Sequence, residues 1–155
     1  MFSGYREILS VSWKGTAKLS GTWGVIVGAF SLIMNAVPSL TIPLLAVLIP
    51  LSLAMPAVIA FFMTKSYAKR TRLETKMAAK HGAVTGVVYA VVMILIALFF
   101  IIINYSMAAL VWGSLEVLGE GILVVVVTII IGLPLLGVLS IISGAIGGVA
   151  VNKIN

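Results

Sequence analysis

KSYAKRTRLETKMAAKH, residues 65–81, holds six of the chain's ten Lys and Arg side chains and divides two long hydrophobic blocks that carry no cation. Upstream, residues 19–64 contain no charged side chain at all. A helix needs about 20 residues to cross about 30 Å of hydrocarbon, so a block of this length folds back once. Downstream, residues 82–152 carry two charges, Glu116 and Glu120, and by the same argument fold back near them. The reading is all-α: a polytopic membrane protein of four transmembrane helices. Its spans fall at about 20–36, 42–65, 82–104 and 122–150.

Composition excludes the soluble classes. The chain has 155 residues, 62% hydrophobic and 9% charged, with mean hydropathy +1.27, against roughly 25% charged residues in soluble domains. A net charge of +6 raises nucleic acid as a partner. The cations, however, sit at the ends of apolar spans, where orientation in a bilayer places them, so no nucleic acid is expected. With neither Cys nor Asp in the sequence, disulfides, thiol chemistry and Cys-based metal sites are ruled out.

Local signals set the ends of the spans. Residues 1–19 place Tyr5, Leu9 and Trp13 on one face and Arg6 and Lys14 on its neighbour, the pattern of a short N-terminal interfacial helix retained ahead of the first span. Pro38 marks the first turn, with Thr41 as cap of the second helix ahead of Pro43. Pro50 and Pro56 should bend that helix, and the carbonyls they release need partners, Ser52 being one source. Thr71 and Glu74 have capping-box spacing, which starts the third helix near Arg72. In the fourth span, Gly132-Leu133-Pro134 predicts a kink and Gly147-Gly148 a point of fraying.

Four spans put both termini and the connector on one side, together with every Lys and Arg. That side should be the cytoplasmic face of the plasma membrane. Lys65, Lys69, Arg70, Arg72, Lys76 and Lys80 would then meet anionic headgroups or a soluble partner. Tyr5 and Trp13 would anchor one interface, and Tyr105 and Trp112 the other, beside Glu116 and Glu120 as a solvated acidic face.

Three stripes of small residues recur at helical spacing: Ser20, Gly24 and Gly28; Gly82, Gly86 and Ala90; Ser140, Gly144 and Gly148. Such stripes let helix backbones approach closely where lipid provides no hydrophobic drive for association. All three lie in the half next to the basic connector, which predicts a bundle drawn tight at that end. Whether they pack within one chain or between chains is open at this stage. Asn35, Asn104 and Thr128 fall near the opposite ends of three spans, as a polar layer or as headgroup contacts. His81, the only histidine, reads as a solvated residue, with no Asp or Cys to form a catalytic pair. No catalytic residue, metal site or cofactor is expected.

GAVTGVVYAV at 82–91 and SGAIGGVAVNKIN at 143–155 resemble glycine-rich, four-helix membrane proteins of unknown function that are widespread in archaea. The resemblance runs from residue 40 onward, the first 20 residues depart from it, and it implies no activity. The expectation is a non-enzymatic membrane protein, a structural or accessory subunit packed against other membrane subunits or itself. The alternatives are a homo-oligomeric channel or permease for a small neutral or apolar solute, and a viral or vesicle envelope protein. A membrane-embedded enzyme of lipid metabolism ranks last.

Overall fold

A computed structural model describes residues 3–68, 74–113 and 115–154. The elements are α1 (Ser3–Ala36), a 3-10 turn (Pro38–Leu40), α2 (Thr41–Ala68), α3 (Thr75–Trp112), α4 (Leu115–Val127), a π-helical segment (Thr128–Gly132) and α5 (Leu133–Ile154), with no strand among the described residues. Four stretches are long and apolar enough to cross a membrane: Trp13–Ala36, Thr41–Ser66, Thr75–Val111 and Glu116–Asn152. The chain is a four-span helical membrane protein.

The side-chain distribution suits that solvent. Leu, Ile, Val and Phe crowd the exposed surface of every span, while the fully buried positions include Thr16, Ser20, Ala60, Thr64, Ala78, Thr85 and Ser140. In water such a surface would be an enormous apolar patch. In lipid, which is as apolar as leucine, the interior is instead the place for small and hydroxyl-bearing residues that admit close packing.

Several boundaries differ from those the sequence predicts. The N-terminal segment is not separated from the first span, because α1 runs unbroken from Ser3 to Ala36. α3 begins at Thr75 rather than near Arg72, with Glu74 at the N-cap and no side-chain cap bond. The Glu74 carbonyl takes the amides of Met77 and Ala78, both at 2.9 Å. Thr71 lies outside the described residues. Thr41 starts α2, yet its hydroxyl points 3.4 Å toward the Met34 carbonyl at the end of α1 rather than capping its own helix. α3 also continues past Asn104 to Trp112, stopping at Gly113 in the left-handed region (φ 62°), whose amide bonds the Ala109 carbonyl at 2.9 Å. Gly147 and Gly148 do not fray: both are buried inside α5.

Pro134 interrupts the α-helical ladder of the fourth span in a defined way. Lacking an N–H, it cannot bond the carbonyl four residues back. The turn before it widens to π geometry, and the Leu133 amide bonds the Thr128 carbonyl. A π turn shifts the donors ahead of the proline back by one carbonyl, so the helix runs on into Pro134 without breaking.

Candidate functional site

The most constrained region is the closed seam where α1, α2, α3 and α5 meet at the end carrying the basic connector, here termed the basic end. α3 and α5 run antiparallel with their backbones in contact. A Cβ on Gly82 would overlap the Gly144 carbonyl, one on Gly86 the Ser140 carbonyl, and one on Gly148 the Ala78 carbonyl. On the neighbouring face of α5, a Cβ on Gly147 would overlap the Ala57 carbonyl of α2. These glycines therefore pack within one chain. Ala90 is buried beside them, and Ser20 and Ser140 are fully buried with hydroxyls that make no protein hydrogen bond. The two serines thus act through their small size.

The stripe on α1 works differently. Gly24 receives the side chains of Met93 and Ile96, and Gly28 the ring of Phe100, all from α3. Here knobs enter holes, and a groove remains beside them, lined among others by Ser31, Phe100 and Asn104.

Polar bonds lock the register. Tyr89 on α3 is fully buried, and its hydroxyl donates to the Ser52 carbonyl of α2 at 3.0 Å. That carbonyl is the one Pro56 deprives of its helical partner, so the gap in the α2 ladder is filled from the neighbouring helix. Ser143 on α5 donates to the next carbonyl, Leu53, at 3.0 Å. His81 overturns its solvated reading: it is 8% exposed, and its Nδ1 lies 3.0 Å from the fully buried Thr64 hydroxyl. The physical reason is the α2–α3 pairing, which turns His81 inward although its sequence neighbour Lys80 is exposed. At the end of the seam the Asn152 side-chain amide donates to the Thr75 hydroxyl at 3.3 Å.

Around the seam stand the cations. Lys14, Lys18, Lys76 and Lys80 are exposed, and the Lys65 ammonium lies 5.6 Å from the centre of the Phe61 ring. Lys69, Arg70 and Arg72 lie outside the described residues. Of the aromatic anchors, Trp13 is exposed, while Tyr105 packs on Gly121 of α4. The side chains of Tyr5 and Trp112 lie outside the described residues. At the far end Asn35 is exposed, Asn104 borders the α1–α3 groove and Thr128 opens the π segment, and no hydrogen bond joins the three among the described residues.

Sequence reasoning marked the glycines and missed Tyr89, Thr64 and Ser143. Spacing identifies a groove on one helix, but a hydroxyl's partner depends on the register between helices. One signal was available, namely that Pro56 must release the Ser52 carbonyl to some donor. Among the described residues no group of three His, Asp or Glu side chains converges. What the seam can do chemically is hold four helices in one register.

A family model described only as a family of unknown function matches residues 70–150, from the connector through α3, α4 and most of α5. No curated protein and no solved structure matches the chain.

Proposed function

The chain belongs to that family of unknown function, DUF5518, and from this premise and the packing above we propose that it is a non-enzymatic structural or accessory subunit of a larger membrane assembly. The observation carrying the reading is closure of the basic end. Backbone lies against backbone at Gly82 and Gly144, and the hydroxyls of buried Tyr89 and half-buried Ser143 are spent on carbonyls of α2. Groups committed in this way join helices and are not presented to a solute or a substrate. In this reading the chain lies in the plasma membrane with both termini cytoplasmic, as the distribution of Lys and Arg favours. Lys65, Lys76 and Lys80 then meet anionic headgroups, at on the order of 1 kcal/mol each.

A homo-oligomeric channel would have to line its path with the outer surfaces of the helices, which are mostly branched aliphatic residues. Native-size analysis after extraction in mild detergent, with mass spectrometry of co-migrating chains, separates the two. Stoichiometric foreign subunits are expected. A pure oligomer of this chain that supports solute flux in liposomes would overturn the proposal.

A further inference from the structure

Beyond the closed seam, the contact between α1 and α3 leaves a groove of about 200 Å³. It runs from Gly24 to Ser31 on α1, about 10 Å, and from Met93 to Asn104 on α3, about 16 Å. Both stretches belong to membrane spans. α1 packs on α2 and α3, and touches neither α4 nor α5 among the described residues. Ala97 on the groove's rim is exposed, so the groove opens sideways into lipid.

The groove is polar at one end only. Gly24, Met93 and Ile96 line the end nearer the basic connector, and Ser31 and Asn104 the other. Ser31 gives its hydroxyl to the Gly28 carbonyl at 2.6 Å. The half-buried Asn104 amide bonds no other group among the described residues, and hydrocarbon offers it no partner. Its depth follows from the packing. Phe100 seats on Gly28, so counting along both helices sets Asn104 level with Leu32, one turn short of the end of α1 at Ala36. The α1–α2 turn just beyond leaves the α-helical ladder with Ser39 exposed. Exposed irregular backbone belongs outside the hydrocarbon, which puts that turn among the headgroups and Asn104 about 6 Å further in. The interfacial layer is about 5–8 Å thick on each side. Asn104 therefore lies at its inner boundary, where the chains of a lipid meet their ester or ether oxygens.

From that boundary the groove follows α3 for about 16 Å, against about 15 Å of hydrocarbon in one leaflet. A helix about 10 Å across would need upward of about 1,000 Å³ over that length, so no helix of another protein or of a second copy fits inside it. We propose that the groove is a binding site for one hydrocarbon chain of a glycerolipid in the leaflet away from the basic connector, with the ester or ether oxygen of that chain accepting from the Asn104 amide. A depression on α5 lined by Ala145, Ile146, Val149 and Ala150 is roomier, about 350 Å³, but has no polar side chain to hold a lipid in place. The inference goes beyond the accessory-subunit reading and holds with or without partner subunits.

The full chain is reconstituted in phosphatidylcholine vesicles containing an increasing small fraction of phosphatidylcholine with a photoactivatable diazirine in one chain, and labelled peptides are mapped by mass spectrometry. Labelling of residues 24–31 and 93–104 should saturate, several-fold above that of residues 145–150 at low probe fraction, while the α5 depression is labelled in proportion to the probe. Asn104→Leu, similar in size, and Ala97→Leu, which fills the groove from its exposed rim, should each lower groove labelling to the α5 level with helicity unchanged. Proportional labelling at both places would overturn the site and reduce the groove to ordinary solvating lipid. Groove labelling weaker than that on α5 would overturn the lipid occupant, since a protein side chain would then fill the space. Saturable labelling that survives Asn104→Leu would overturn recognition by the amide. The saturation curve of the parent chain decides the site even where a variant fails to fold.

Discussion

Gly144 sits against the Gly82 carbonyl with no room for a methyl group, whereas Gly137 has no heavy atom within 4 Å of where a Cβ would stand. Gly144→Ala should therefore cost about 1–3 kcal/mol of stability through overpacking, and Gly144→Leu should prevent closure of the seam. Gly137→Ala should be neutral or stabilising by up to about 1 kcal/mol, from helix propensity. Denaturant titration of helicity in micelles measures all three, and equal losses at 137 and 144 would refute the packing argument. Tyr89→Phe deletes the bond to the Ser52 carbonyl and should cost about 0.6 kcal/mol, at most about 1.7. In a Pro56→Ala background the restored amide can take over that carbonyl, so the cost of Tyr89→Phe should shrink, and a double-mutant cycle reads the coupling. The glycines were legible in the sequence because an absent side chain leaves a hole whatever the neighbour. Tyr89 and His81 were not, because their inward orientation follows from how α2 and α3 align.

At the scale of elements, prolines shape two of the four spans and are accommodated differently. α2 keeps its helix through Pro56 and takes donors from α3 and α5, while the fourth span absorbs Pro134 by inserting a π turn. Pro134→Ala restores an N–H that can bond the Ile130 carbonyl, so the π turn should revert to α. Losing the inserted residue rotates α4 by about 100° relative to α5 and carries Gly121 away from Tyr105. A Tyr105→Cys, Gly121→Cys pair reports this. A Cβ at 121 would lie 2.8 Å from that of Tyr105, so relaxation of about 1 Å reaches disulfide geometry. The cross-link should form in the parent and fail with Pro134→Ala. Persistence of the cross-link would mean that the π turn has another cause. An interruption of the helix was legible from Gly132-Leu133-Pro134. Its form was not, since a missing N–H demands only some rearrangement upstream.

For the whole molecule, span number followed from charge placement and length, because each uncharged block exceeds one bilayer crossing. The extension of α3 past Asn104 was hidden, because Tyr105 and Trp112 mark an interface in composition although the helix runs on to Trp112. The proposed orientation rests on the basic residues. Replacing Lys65, Lys69, Arg70, Arg72, Lys76 and Lys80 with Gln should yield a mixed population, scored by labelling Ser39→Cys from each side of sealed vesicles. A uniform orientation after that change would show that other determinants set it. The side-chain distribution, with Gly, Ala, Ser and Thr prominent inside beside Ile59, Tyr89 and Val151, and branched aliphatics crowding the outside, reverses much of the usual map of mutational tolerance. Exchanges among Leu, Ile, Val and Phe on the lipid face should pass almost unnoticed, whereas single-carbon additions at interior Gly, Ala and Ser positions should be eliminated. A saturation library selected for membrane accumulation would therefore divide residues by the size each site admits, not by hydrophobicity.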